Sequence, residues 1–264
     1  MTLLEVSGLR VTYPQGFRRP DFNAVNGVDL EIGEGETIGL VGESGSGKST
    51  IGNAVLGLAP VSGGSIRFDG KDISKAKPRQ RRLLSEHMQV VFQDPYGSLN
   101  PSRTIGQTLA EPLRVHRDLS PTATRSEVSA MLERVGLRDS DAQRYPAAFS
   151  GGQRQRIAVA RALMVRPKLV VCDEAVSALD LSTQAQVLNL LKDLQAEMGM
   201  SILFISHDLA VVRYMSSRIV VLYRGEVMER GTTRDIYASP THPYTQKLVA
   251  AAPIPDPDRR TMQT

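Results

Sequence analysis

The 264-residue sequence predicts an α/β protein in which a mostly parallel sheet is flanked by helices. Three features carry that expectation. The apolar run Glu36-Thr-Ile-Gly-Leu-Val41 leads into a glycine-rich loop, Gly42-Glu-Ser-Gly-Ser-Gly-Lys-Ser-Thr50, and then into a stretch whose Ile51, Ala54, Val55 and Leu58 share one helical face. From Leu169 onward, short β-branched runs alternate with amphipathic stretches of helical period. Several of these runs end in polar, chemistry-bearing residues, as expected where parallel strands present ligands at one sheet edge.

In chain order, residues 1 to about 70 read as strands and turns: Leu3–Val11, Ala24–Glu31, Thr37–Val41 and Gly64–Phe68, the last closed by an Asp69-Gly70 turn. The basic run Lys75-Ala-Lys-Pro-Arg-Gln-Arg-Arg82 has no aromatic neighbours and reads as a solvated, loop-flanking charge run. Met88–Phe92 is the next strand, ending at Gln93. From Thr104 to Met164 the pattern is helical, with Ile105, Leu109 and Leu113 in one stripe and Val128, Met131, Leu132 and Val135 in another. Strand and helix then alternate through Leu169–Cys172, Thr183–Met198, Ser201–Ile205, Leu209–Tyr214 and Ile219–Leu222, and a tail from Thr233 to Thr264 follows. No internal repeat or low-complexity segment occurs.

Composition narrows the class. A hydrophobic content of 41% can bury a sizeable core, and the apolar runs are only a few residues long, far short of the ~20 needed to cross a bilayer. The N-terminus, MTLLEVSGLR, lacks the basic and apolar segments of a secretory signal. The single cysteine, Cys172, excludes an internal disulfide, fits a reducing compartment, and reads as core packing within its strand. The net charge is +4, but 32 basic and 28 acidic residues are interspersed, so no nucleic-acid partner is expected.

The loop chemistry points to phosphate. Gly42, Gly45 and Gly47, spaced by Glu43, Ser44 and Ser46, let the backbone turn its amides toward one point just where the next helix adds its positive end. Lys48 supplies a point charge to the β- and γ-phosphates, the Ser49 hydroxyl suits Mg²⁺, and Thr50 continues the helix. Four further signals follow: Gln93 at a strand tip; Ser150-Gly-Gly-Gln153 opening a helix with Ser150 as N-cap; Asp173 and Glu174 ending an apolar strand before Ser177-Ala-Leu-Asp180; and His207 ending another. Parallel strands ending in Gly42, Gln93, Asp173 and His207 would bring these groups to one edge.

Over nearly its whole length the chain resembles the ATP-binding subunits of ABC transporters. GESGSGKST matches Walker A, Gln93 the Q-loop, FSGGQ from Phe149 the signature, VVCDE Walker B, SALD the D-loop and His207 the switch histidine. The resemblance implies a P-loop NTPase nucleotide-binding domain with a mixed sheet, a helical subdomain and a short C-terminal extension. Residues 1–96 and 165–232 would form the ATP-binding core with its antiparallel β subdomain, 97–164 the helical signature subdomain, and 233–264 the extension.

It also implies ATP and Mg²⁺ as ligands and a sandwich of two such domains around two nucleotides. Asp173 would support Mg²⁺ with Ser49 and Gln93. Glu174 would deprotonate the attacking water, His207 would stabilise charge on the γ-phosphate, and Lys48 would neutralise the β/γ oxygens. Ser150, Gly151, Gly152 and Gln153 would face the partner's nucleotide, Asp180 would reach across the interface, and Phe149 would pack. Tyr13 matches the adenine-stacking aromatic, with Phe17 and Phe22 of the insertion Gln15–Asn23 as competitors and core packing as its other role.

The tail segments Glu229-Arg-Gly231, Ser239-Pro-Thr-His-Pro-Tyr-Thr-Gln-Lys-Leu248 and Ala252-Pro-Ile-Pro-Asp256, with a turn at Gly225-Glu226, are similar to oligopeptide, dipeptide and nickel importers, as is Val91–Pro101. No cysteine stands in the tail, so no iron–sulfur cluster is expected. The implied function is ATP hydrolysis powering an importer of di- or oligopeptides. Implied partners are a second, related ATP-binding subunit, two transmembrane permease subunits and an extracytoplasmic solute-binding protein, with the chain on the cytoplasmic face of the membrane. Import of nickel or another small solute, a non-transport ABC ATPase and a metabolic P-loop kinase or GTPase are the alternatives. Tyr96, Leu99 and Ile105 are expected to offer apolar contacts to a permease helix.

Overall fold

The computed structural model describes residues 1–16, 20–94 and 96–251; Phe17 and the Ala252–Asp256 segment singled out above lie outside the described residues. Two sheets form the frame. Strands β1 (Thr2–Tyr13), β2 (Phe22–Gly33), β4 (Gly63–Phe68) and β5 (Lys71–Asp72) make an antiparallel sheet in the order β2-β1-β4-β5. The second sheet runs β10-β9-β3-β8-β7-β6, with β3 (Thr37–Val41), β6 (Met88–Val91), β7 (Leu169–Asp173), β8 (Ser201–Ser206) and β9 (Arg218–Tyr223) all parallel. Only β10 (Glu226–Thr232), hairpinned to β9, runs the other way.

Register decides where the strand ends fall. Val41 pairs with Ser206, Asp173 with Ile205 and Val91 with Cys172, so β3, β8, β7 and β6 finish level with one another. The period-2 alternation splits the sheet's apolar residues between two cores. Leu169, Val171, Leu203 and Ile205 point to the core shared with the antiparallel sheet and α1 (Lys48–Leu56). Val170, Cys172, Ile202 and Phe204 point to the other, which helices α3 (Ile105–His116), α4 (Pro121–Arg134), α5 (Gly151–Leu163), α6 (Leu181–Met198) and α7 (Leu209–Met215) cover. Cys172 is fully buried, and burial pushes its thiol up to about 12, which suits packing rather than reactivity. Among the described residues no helix is long and apolar enough to cross a membrane.

Four expectations are corrected. Helix α1 ends at Leu56 with Gly57 as its left-handed C-cap, so Leu58 lies beyond the helix and is 66% exposed instead of sharing the buried face. The basic run contains a helix, α2 (Pro78–Leu84), started by Pro78 at its first turn. One of its cations is structural: Arg81 donates to Val55 O at 3.0 Å and Ile73 O at 2.6 Å. The strand before Gln93 stops at Val91, and the β9–β10 turn falls on Arg224-Gly225 with β10 already begun at Glu226. After β10, α8 (Thr233–Ala238) and α9 (Pro243–Ala251) fold back along the β9–β10 edge.

Candidate functional site

The glycine loop between β3 and α1 owes its path to positions that no side chain could occupy. Gly42 sits at φ 152° with its missing Cβ directed 2.0 Å from Leu222 O; Gly47, at φ 102°, directs its own 2.5 Å from Ala24 O. Gly47 is also the N-cap of α1 and offers no side-chain acceptor, so the first amides of the helix remain free for an anion. Lys48 is only 4% exposed and donates from Nζ to Gly42 O (2.8 Å) and Glu43 O (2.7 Å). Burial lowers its pKa, against the opposing pull of Glu174, Asp173 and Glu43. The lysine therefore lies folded over its own loop, beside a cavity of about 200 Å³ lined by Phe22, Ser44, Gly45, Lys48, Ser49 and Glu174 among others.

Across from the loop, Ser49 Oγ donates to Asp173 Oδ1 at 2.8 Å. Burial raises the Asp173 carboxyl, the Ser49 hydrogen bond counters this, and the neighbouring Glu174 charge adds to the rise. A hydroxyl and a carboxylate held together are hard oxygen donors of the kind Mg²⁺ takes while keeping several waters, so the pair fits that ion. Glu174 follows with φ 49°, a left-handed conformation uncommon for a non-glycine residue. Its N–H donates to Ile205 O (2.9 Å) and its carbonyl accepts from Ser177 N (3.1 Å), which holds the turn. The turn aims the side chain at His207, whose Nδ1 lies 3.2 Å from Glu174 Oε1. His207 is itself pinned between β8 and α7, because the Asp208 carboxylate caps α7 by accepting from Ala210 N while its own amide donates to Ser206 Oγ.

The loop after β6 is gripped by α5. Gln155 Nε2 donates to Phe92 O (3.4 Å), the Arg154 guanidinium lies 4.2 Å over the Tyr96 ring, and Arg161 donates to Ser98 O. Leu99 and Ile105 are 2% and 0% exposed, so of the three residues expected to contact a permease only Tyr96 is accessible. Gln93 is exposed on this loop, and among the described contacts nothing ties it to Ser49 or Asp173. Ser150 and Gln153 form a reciprocal capping box at the start of α5. Gly152 is demanded by packing, since a Cβ there would stand 2.2 Å from Thr183 Cγ2. Phe149 is buried under Arg144, whose guanidinium is 4.5 Å from its ring centre. Asp180 caps α6; hydroxyl and backbone bonds from Ser182 and Thr183 hold its carboxyl far below the usual range.

Within one chain the fold thus gathers Gly42–Thr50, Asp173, Glu174 and His207, and leaves Ser150–Gln153 and Asp180 outside that cavity. Tyr13 and Phe22 are register partners at the tips of β1 and β2. Phe22, half exposed, lines the cavity, while Tyr13 packs against the core of the antiparallel sheet. A larger groove of about 490 Å³ runs along Asn26, Asp29 and Glu226–Arg230, but its three carboxylates oppose phosphate. Sequence reasoning missed Arg154, Gln155 and Arg161, whose partners are 58 or more positions away and leave no local signal. It also missed Tyr244, whose hydroxyl accepts from Glu43 N at 3.2 Å.

The family model described as ABC transporter matches residues 25–177, and the one described as oligopeptide/dipeptide transporter, C-terminal region, matches residues 228–264. The oligopeptide transport ATP-binding protein OppF of Escherichia coli is 49% identical over 99% of this chain and 81% of its own length. OppF of Lactococcus lactis subsp. lactis is 47% identical over 98% of this chain and 82% of its own. The glutathione import ATP-binding protein GsiA of Salmonella paratyphi A is 48% identical over 97% of this chain, which spans 42% of that protein. Among solved structures, an ATP-binding cassette in a dimeric post-hydrolysis state with ADP and Pi superposes with TM-score 0.79 at 30% identity, covering 88% of this chain and 99% of that one. The cbiO1 protein of Clostridium perfringens, part of the cbiONQ ABC transporter complex, superposes with TM-score 0.80 at 28% identity, covering 90% and 91% of the two chains.

Proposed function

The chain belongs to the ABC transporter family, and on that footing we propose that it is the ATP-hydrolysing subunit of an importer of di- or oligopeptides. The observation that carries the reading is the Glu174–His207 pair set beside a phosphate loop in which Lys48 and the Ser49–Asp173 contact are already formed. The relatives named for oligopeptide transport and the match of residues 228–264 support the cargo class.

On nucleotide binding Lys48 turns from the Gly42 and Glu43 carbonyls to the β- and γ-phosphate oxygens. The first amides of α1 donate to the remaining phosphate oxygens. Ser49 and Asp173, with Gln93 on the β6 loop, would hold Mg²⁺, which would supply charge neutralisation to the transferring group. Glu174 removes a proton from the attacking water, and His207, on the next strand, orients that carboxylate and donates toward the γ-phosphate. The base rests on the aromatic tip formed by Tyr13 and Phe22.

The second half of each site is proposed to come from another ATP-binding subunit, a different but related chain. Ser150, Gly151, Gly152 and Gln153 would then close on that chain's nucleotide. This explains why an N-capped, positively poled helix end stands away from the chain's own cavity. Asp180, with Leu181 85% exposed beside it, lies at the same seam. Two permease subunits and a solute-binding protein complete the complex, with this chain on the cytoplasmic face. The proposed division is 1–96 with 165–232 as ATP-binding core, 97–164 as helical subdomain and 233–264 as extension.

A second reading, import of glutathione, draws on GsiA. Uptake into proteoliposomes bearing the assembled transporter and its binding protein, measured with a labelled tripeptide, glutathione and Ni²⁺ in parallel, tests both. ATP-dependent peptide uptake that stops in Glu174→Gln supports the proposal. Uptake of Ni²⁺ or glutathione alone overturns the cargo, and absence of any nucleotide-dependent uptake overturns the transport role.

A further inference from the structure

The C-terminal extension reaches the phosphate loop through one hydroxyl. The Gly42–Glu43 peptide unit is held at both ends: its carbonyl accepts from Lys48 Nζ at 2.8 Å, and its N–H donates to Tyr244 Oη at 3.2 Å. Tyr244 lies in the first turn of α9, 201 positions away in sequence. Its place is secured on two sides. Its ring meets Tyr223, the last residue of β9, with centroids 4.5 Å apart, and the Arg224 guanidinium lies 5.1 Å from the far ring. The turn before it is anchored to β10 by Glu229, whose carboxylate accepts from Thr241 N and Oγ1 at 2.8 Å each and from His242 N at 3.0 Å. His242 Nδ1 in turn accepts from Tyr244 N.

We propose that Tyr244 is a positioning residue for the phosphate loop, through which the extension sets the affinity of this chain for nucleotide. The inference rests on the nucleotide reading above. When Lys48 leaves Gly42 O for phosphate, the peptide unit loses one of its two anchors. The Tyr244 hydroxyl is the anchor that stays, and it keeps the following amides directed at the phosphates rather than letting the peptide flip. Tyr244 does not line the cavity, so it acts through the loop and not on the reacting atoms.

The test is Tyr244→Phe, which keeps the ring on Tyr223 and removes only the hydroxyl, measured in the full chain. MgATP affinity is read by calorimetry, KM and kcat in the assembled transporter, and amide exchange at Glu43 by hydrogen–deuterium exchange. Expected are faster exchange at Glu43, a KM and dissociation constant raised on the order of three- to tenfold, about the worth of one neutral hydrogen bond, and a kcat within about twofold. A merely structural tyrosine would leave KM, kcat and Glu43 exchange at wild-type values in the phenylalanine variant, and that result overturns the proposal. A variant that changes kcat with KM unaltered also overturns it. Should the wild-type chain itself bind no MgATP, the nucleotide reading fails first. Wild-type binding with an indifferent Tyr244→Phe leaves that reading standing and removes only this inference.

Discussion

His207 Nδ1 stands 3.2 Å from Glu174 Oε1, although the two residues end different strands and are 33 positions apart. The contact exists because β7 and β8 pair in parallel with Asp173 level with Ile205, so Glu174, one residue past Asp173, and His207, two past Ile205, meet above the sheet edge. Glu174 is 19% exposed in its side chain against 55% for His207, which places the carboxylate inward and the imidazole at the rim. An inward carboxylate with an outer partner suits the proposed activation of water at the cavity.

Replacing the proposed base isolates chemistry from binding. Glu174→Gln keeps the shape and is expected to retain MgATP affinity within about twofold while lowering hydrolysis roughly 10²- to 10⁴-fold. Turnover assays on the assembled transporter, with calorimetry on the same protein, check both halves. In a mixed pair, one ATP hydrolysed and one trapped per complex is the expected count, whereas two trapped in a complex with two copies of this chain would exclude the mixed pair.

The loop itself is tested at Gly47. With φ at 102° and a Cβ directed 2.5 Å from Ala24 O, Gly47→Ala must either strain the backbone or push β2 away. A loss of about 1–3 kcal/mol in stability and at least tenfold in MgATP affinity is expected, from urea unfolding and calorimetry. Lys48→Ala should reproduce the affinity loss with less effect on unfolding. Equal affinities in Lys48→Ala and wild type would count against the phosphate cradle.

The aromatic tip divides two roles between neighbours. Phe22→Ala removes a half-exposed ring from the cavity wall and is expected to raise the ATP dissociation constant about five- to fiftyfold, within the ~1–3 kcal/mol of a stacked base. Tyr13→Ala should cost affinity as well, but with a larger fall in stability, since Tyr13 packs on the core. Titration with ATP and with inorganic triphosphate separates the effects, because triphosphate has no base to stack.

Glu229 makes the anchoring of the extension pH-dependent. Burial opposes its charge, yet hydrogen bonds from Thr241 and His242 hold the carboxyl at about 2, against 4.5 when free. A depressed carboxylate contributes stability that is fully present above the free value and is lost as pH falls toward 2. The stability gap between wild type and Glu229→Gln is therefore expected to be about 1–2 kcal/mol at pH 7 and to narrow below pH ~4.5. Denaturant curves at pH 7 and pH 3.5 test the sign. A gap that widens at the lower pH would be the wrong result.

Arg81 and Arg82 are adjacent cations with different fates. Arg81 fills the space beside Gly57 and bonds two carbonyls of α1 and the β5–α2 connection, so Arg81→Ala should cost about 1–3 kcal/mol. Arg82→Ala should stay within about 0.5 kcal/mol, as surface changes do.

The primary sequence alone determined the phosphate loop, the strands that carry it and the chemistry at their ends. Those signals are local: glycine at fixed offsets, a β-branched run before it, an apolar face after it, and carboxylates or histidine where a run stops. It also determined that the sheet is mostly parallel, since buried strands alternating with amphipathic helices leave few other arrangements. What the chain could not declare locally was decided by packing. Leu58 left its helix because Gly57 turned left-handed first, Leu99 and Ile105 went inward, and one arginine of a basic run became half-buried on two backbone carbonyls while its neighbour stayed exposed. The brace from Tyr244 to Glu43 and the grip of α5 on the loop after β6 join residues tens to hundreds of positions apart. Such contacts arise only when strand order and register have set which ends meet. A one-dimensional pattern records which face a residue prefers, and the pairing of strands in space determines what that face touches.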